Sequence, residues 1–137
     1  MPRILGIDYG EKRVGLAVSD PLNIIAQPLI TLIREDSVGW WHQLEAVVVE
    51  QEIVTIVVGY PLTMKGTKSA QTEKVDRFIL DLGERMTIPI DRYDERLTSV
   101  AAQRALIQQG IKASRNKEAV DYTAAALILQ DYLDSRG

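Results

Sequence analysis

A mixed α/β sheet of five strands with helices on both faces is the fold class this sequence predicts, and three observations predict it. Apolar, strand-like segments open the chain three times in quick succession, at about 3–9, 13–19 and 26–33. From there helical and strand patterns alternate, the mark of a sheet that is part antiparallel and part parallel. A chain of 137 residues, 46% hydrophobic and 26% charged, suits one globular domain over 1–137 with a full core.

Taken in order, Ile4-Leu5-Gly6-Ile7 and Val14-Gly15-Leu16-Ala17-Val18 read as buried strands joined by a turn at Gly10–Arg13. Segment 37–51 follows, with Ser37 as N-cap and Trp40, Trp41, Leu44, Val47 and Val48 at helical spacing. Adjacent helix positions lie ~100° apart, so one tryptophan at most faces the core squarely, and packing rather than base stacking is the expected role of the pair. "EIVTIVVGYPL" has the near-continuous apolarity of a central strand covered on both faces. After a polar loop, Val75, Phe78, Ile79, Leu82 and Met86 form one stripe of an amphipathic helix. "IPIDRY" is a short fifth strand. A helix from about Ser99 ends at Gly110, and a last one runs from about Lys117 to Leu133. This order matches the ribonuclease H-like fold, in which the first strand lies centrally and carboxylates gather at its end.

Composition narrows the chemistry. With no cysteine and a single histidine, His42, the chain offers no disulfide, no thiolate site and no zinc site built from several imidazoles. Any metal is held by oxygen, which points to Mg²⁺ or Mn²⁺. The longest apolar run, Ile53 to Leu62, is far short of the ~20 residues of a membrane helix. No signal peptide is expected, because Asp8 interrupts the first apolar segment. A cytoplasmic protein without membrane contact is the expectation. A net charge of −3 argues against tight, non-specific nucleic-acid binding but leaves room for a local basic patch.

Three carboxylates stand out. Asp8 ends the first strand, fenced by Gly6, Gly10 and Gly15, which would let a phosphate approach the backbone. A turn aspartate capping backbone N–H groups is the plainer alternative. In "DERLTS", Asp94 and Glu95 follow the fifth strand; neighbours in extended chain point opposite ways, and Glu95 is the one expected to face inward. Favourable charge at a helix start accounts for the other. Asp121 shares a helix face with Ala124, Ala125, Ile128 and Tyr132, so it sits on the apolar side, while Asp131 and Asp134 can turn to water. Its alternative is a first-turn aspartate beside Lys117. Cations flank these groups: Lys12 and Arg13 in the first turn, Lys65 and Lys68 in the loop 59–71, Arg96, and Lys112, Arg115 and Lys117 before the last helix. Ordinary solvated loops explain many such cations, but here they would form an electrostatic track for a polyanion. The loop 59–71 lacks the glycine and lysine spacing of a P-loop.

"GIDYGEKRVGLAVSD", "VVGYPLTMKGTKS", "DERLTS" and "VDYTAAALIL" closely resemble, in order and over nearly the whole chain, the four sequence blocks of the YqgF family, also called RuvX. The resemblance implies a ribonuclease H-like nuclease that hydrolyses phosphodiesters with divalent metal, in 5′-end processing of pre-16S ribosomal RNA or in resolving Holliday junctions. It makes Asp8, Glu95 and Asp121 the catalytic metal ligands, with two ions the expected number. Resolvases of the RuvC type carry a fourth-strand carboxylate where this chain has Gly59-Tyr60; "DERL" either substitutes for it or leaves two good ligands. RNA precursor ends are favoured over DNA junctions, with ribosomal particles as candidate partners and a monomer or homodimer as the acting form. A phosphotransferase of the actin and sugar-kinase superfamily, suggested by "IDYGEKRVGLAV", would need two such domains. A catalytically inactive assembly factor is the third reading, and metal binding would separate it from a nuclease.

Overall fold

β1 (Arg3–Tyr9), β2 (Arg13–Ser19) and β3 (Ala26–Ile33) form at the three apolar segments predicted, and the computed structural model describes residues 2–34, 39–97 and 117–136. They are followed by α1 (Gly39–Glu50), β4 (Ile53–Tyr60), α2 (Ala70–Arg85), β5 (Ile90–Asp94), a 3₁₀ turn (Glu95–Leu97) and α3 (Lys117–Arg136). The strands make one sheet in the order β3-β2-β1-β4-β5. β1 pairs antiparallel with β2 and β2 with β3, whereas β4 joins β1 and β5 joins β4 in parallel. β1 is therefore central. The proposed cap Ser37, the helix from Ser99 to Gly110, and Lys112 and Arg115 lie outside the described residues.

Each face of the sheet has its own core. Leu5, Ile7, Leu16, Ile56 and Val58 pack with Trp40 and Leu44 of α1 and Val75, Phe78 and Leu82 of α2. On the opposite face Ile4, Ala17 and Val57 pack with Ala125, Ile128, Leu129 and Tyr132 of α3. Strand alternation sends odd and even residues of β1 to opposite faces, so both cores draw on the same short sequence. β4 is covered on both sides, and Ile56, Val57 and Val58 are fully buried. Burying side chains of this size stabilises by about 1.5–3 kcal/mol each before conformational entropy is charged against it.

α2 starts sharply. Ser69 accepts the Thr72 N–H while the Thr72 hydroxyl accepts the Ser69 N–H, a reciprocal cap. The tryptophans behave as their spacing requires: Trp40 is buried and Trp41 is partly so, their rings 4.4 Å apart. Tyr9 stacks on Phe78 at 4.2 Å, which ties the end of β1 to α2. Burial raises the Tyr9 phenol above its ordinary pKa, against the lowering influence of Arg34.

The glycines correct one expectation. A Cβ on Gly6 would lie 2.8 Å from Leu129 Cβ, and one on Gly15 would lie 2.0 Å from the Asp121 carbonyl oxygen. These two positions seat α3 against the sheet and leave no space for a phosphate. Gly10 closes the β1–β2 turn instead, its N–H donating to the Arg13 carbonyl at 3.0 Å. The buried Ala124 and Ala125 complete the close approach of the helix, as the sequence suggested.

Candidate active site

Sheet register places Asp8. It pairs across β2 with Gly15, and the last parallel rung to β4, Ile7 with Val58, brings Gly59 beside it one residue on. Asp8 lies two residues after Gly6 and thus on the same, α3-facing side of the sheet. Glu95 reaches that side from β5. An added Cβ on Gly59 would sit 3.4 Å from the Glu95 Cδ and Oε2, so the Glu95 carboxylate lies beside the place a fourth-strand side chain would take. Asp121 descends from the second turn of α3. The three carboxylates, from three separate sequence blocks, line one cavity of about 260 Å³ with Gly10, Gly59 and Gln71.

The neighbouring carboxylate has a different partner. Asp94 accepts from the Arg96 guanidinium at 2.8 and 3.1 Å and from the Arg96 N–H at 2.9 Å. Glu95 lines the cavity and Asp94 is bound up with Arg96, though Glu95 opens a 3₁₀ turn and extended-chain alternation is not what separates the two. Hydrogen bonds from Arg96 hold the Asp94 carboxyl below the ordinary aspartate range, against a smaller opposing effect of burial. A carboxyl depressed in the folded state contributes stability above the unfolded pKa of about 4, and that contribution is lost as pH falls through the folded value. Arg96→Gln is expected to lower the melting temperature at pH 7, with the gap to wild type closing below about pH 4 in thermal melts.

Of the expected track of cations, Arg13, Lys68 and Arg96 are engaged with protein carboxylates. Arg13 Nε donates to Asp121 Oδ2 at 2.8 Å, with the aspartate side chain only 18% exposed. Lys68 pairs with Asp76 at 2.9 Å, and the Tyr60 hydroxyl donates to the same carboxylate at 2.9 Å. Burial alone would push the Asp76 carboxyl up, yet Lys68 and Tyr60 bring it below its usual value. Arg96 also covers Gly66, whose φ of +82° and a 2.9 Å approach of the guanidinium both favour glycine. Lys12 and Lys65 are exposed. Lys117 opens α3. Lys12 and Arg13 line a second depression of about 460 Å³, which also includes Glu11, Gln71, Lys74 and Asp121. Gln71 and Lys74 were not foreseen from the sequence. Gln71 donates to the Tyr9 carbonyl at 3.2 Å and borders both depressions; its place in the first turn after a polar loop was the available signal. Asp131, expected towards water, is half-buried, and burial raises its pKa with a further contribution from Asp134.

Residues 2–135 match the profile of RuvX, described as a Holliday junction resolvase. The chain belongs to the RuvX family. Two curated relatives are each named "Putative pre-16S rRNA nuclease". One, from Ruminiclostridium cellulolyticum, is 44% identical over 133 residues, which is 96% of this chain and 94% of the relative. Another, from Acetivibrio thermocellus, is 46% identical over 137 residues, covering 98% and 97%. Among solved structures, Thermus thermophilus RuvC bound to a Holliday junction substrate superposes with a TM-score of 0.57 at 18% identity, covering 99% of this chain and 96% of that one. The Fowlpox virus resolvase bound to junction DNA gives 0.56 at 12% identity, covering 98% of each. At these identities the likeness is one of fold. This RuvX chain has the mixed five-stranded sheet of the RuvC-like, ribonuclease H-like fold.

Three carboxylates line the RuvX cavity, and carboxylate oxygens are the donors a hard divalent cation takes; an added Cβ on Gly59 would meet Ile128 Cδ1 at 2.6 Å as well as the Glu95 carboxylate at 3.4 Å. Among the described residues no three acidic or imidazole side chains are grouped closely enough to hold one ion. Carboxylates of Asp8, Glu95 and Asp121 are the candidate ligands, and Asp121 would serve only when Arg13 releases it. Among the described residues no helix is long and apolar enough to cross a membrane.

Proposed function

We propose that this RuvX protein is a divalent-metal-dependent nuclease that hydrolyses phosphodiester bonds in structured nucleic acid, with the 5′ end of pre-16S ribosomal RNA as its substrate. The observation that carries the reading is the shared cavity: Asp8, Glu95 and Asp121, up to 113 residues apart in sequence, line one opening at the end of the central strand. Asp8, Glu95 and Asp121 would hold Mg²⁺ or Mn²⁺ there, and the ion would supply activation of a water and stabilisation of the leaving oxygen. The chain's own part is to hold the ligands and to present the scissile phosphate. Asp8 is fixed by the sheet and by the stacking of its neighbour Tyr9 on Phe78. Lys12, exposed on the turn, is the cation this reading assigns to the substrate backbone. The names of the relatives support the RNA assignment, and the net charge of −3 favours a substrate presented on a ribosomal particle over independent capture of DNA.

The family description favours a second reading, a Holliday junction resolvase. Such an enzyme cuts two strands symmetrically, which calls for a two-fold dimer. Labelled precursor ribosomal RNA and a four-way DNA junction, each incubated with Mg²⁺, Mn²⁺ or EDTA, decide between the two. Metal-dependent cutting of the RNA alone is the expected result. Cutting of the junction alone would move the function to recombination. Cutting of neither, with no metal bound, would favour the inactive assembly factor.

A further inference from the structure

Among the described residues, Arg13 is paired in a way the nuclease reading does not predict. A substrate-binding cation ought to face the polyanion, yet its guanidinium is hydrogen-bonded to Asp121, a carboxylate that reading gives to the metal. Nor is the pairing that of two loose surface chains. Arg13 begins β2, its carbonyl closes the β1–β2 turn, and Asp121 is held by a helix whose backbone sits directly on Gly15. Both members are thus on rigid elements. Arg13 and Asp121 also lie together in the second depression, where Lys12 of the β1–β2 turn supplies further positive charge beside Glu11 and Lys74. Lys74 is tied there to Glu11.

We infer that Arg13 is a built-in counter-cation for Asp121 that competes with the divalent ion and gives way to it by moving onto a substrate phosphate in the adjoining depression. The inference rests on the nuclease reading for the identity of the ion and the substrate. The physical argument is one of competition: a carboxylate already paired with a guanidinium gains less from a second cation, and the guanidinium repels an ion brought alongside. A phosphodiester in the second depression offers Arg13 an alternative bidentate anion. Metal and nucleic acid then bind with positive coupling, and by linkage each strengthens the other. A protein of this kind keeps Asp121 out of full coordination until a substrate is present.

The opposite role is easily told apart. Were Arg13 an outer partner that orients Asp121 for the ion, its loss would weaken metal binding about 10–100-fold. Competition gives the other sign. Mn²⁺ binding to the full chain, read by electron paramagnetic resonance without nucleic acid, is expected to tighten at least about fivefold in Arg13→Gln. Arg13→Gln should also bind a short fluorescent RNA more weakly in EDTA, with a salt dependence reduced by about one phosphate contact. Arg13→Lys keeps the charge and the fold, and should bind Mn²⁺ as wild type does or somewhat more tightly. Unchanged or weaker Mn²⁺ binding in Arg13→Gln overturns the inference, and weaker binding in Arg13→Lys does so even if the glutamine variant fails to fold. Unaltered RNA binding in Arg13→Gln overturns the transfer to phosphate. If wild type binds no Mn²⁺, the nuclease reading falls and this one with it. If wild type binds Mn²⁺ and RNA but cuts nothing, the nuclease reading alone falls.

Discussion

Asp8→Asn is expected to lower cleavage of the preferred substrate at least about 100-fold while leaving the melting temperature in EDTA no lower than that of wild type. The size follows from the position. Residues that only orient a metal ligand cost about 10–100-fold when removed, and a ligand itself costs no less than the upper end of that range. The stability follows from charge. Asp8 lines a cavity with two other carboxylates, and removing one negative charge relieves their repulsion. Asn keeps the shape and occupies the same strand end, so the β1–β2 pairing with Gly15 is unaffected. Cleavage rates with saturating Mn²⁺, beside thermal melts in EDTA, check both halves. Activity within a few fold of wild type would remove Asp8 from the site. A large drop in melting temperature would instead make it the structural turn aspartate that its sequence context also allowed. Added Mn²⁺ should raise the melting temperature of wild type and not of the variant, because a ligand that binds only the folded state stabilises it by mass action.

Much of this architecture was legible in the sequence because it depends on local pattern. The first three strands occur at the predicted bounds, β4 is buried on both faces as its unbroken apolar run required, and Asp121 lies on the face it shares with Ala124 and Ala125. Glu95 lines the cavity as expected, but from a 3₁₀ turn and not by the strand alternation used to separate it from Asp94. What sequence did not disclose were relations between distant elements. A glycine that admits a phosphate and a glycine that admits a helix look the same in a string of letters. Only the register of β1 with β2 and β4 shows Gly6, Gly15 and Gly59 on the α3 side. Likewise Arg13 read as a free cation in a turn, because its partner Asp121 comes 108 residues later. The fourth-strand question is similar. Gly59 and Glu95 are neighbours in space, with Ile128 Cδ1 closing the place of a Gly59 side chain at 2.6 Å, and neither relation shows in the sequence.

Gly15→Ala tests that packing most severely, and the expected result is a loss of at least about 3 kcal/mol, roughly 10 °C in melting temperature for a chain of this size. Adding one methyl to a strand residue is ordinarily mild, and alanine tolerates extended backbone. Here the new Cβ would lie 2.0 Å from the Asp121 carbonyl oxygen, 2.2 Å from its carbonyl carbon and 2.8 Å from the Tyr122 nitrogen. All three atoms are helix backbone, so no side chain can swing away. Relief requires α3 to lift from the sheet, which opens the core of Ala125, Ile128 and Leu129 against Ile4, Ala17 and Val57. Since a domain is stable by only about 5–15 kcal/mol, such a shift consumes a large share of the margin. It also carries Asp121 away from Arg13 and from the cavity, so the folded fraction of Gly15→Ala should be impaired in cleavage beyond its loss of stability. Gly83→Ala is the control. Gly83 is an exposed residue of α2 with nothing within 4 Å of an added Cβ, and alanine there should stabilise by about 0.5–1 kcal/mol through helix propensity alone. Thermal melts of the two variants should therefore move in opposite directions. A Gly15→Ala melt within about 2 °C of wild type would mean that α3 does not rest on β2 in this way, and the seating of Asp121 would have to be explained by Arg13 alone.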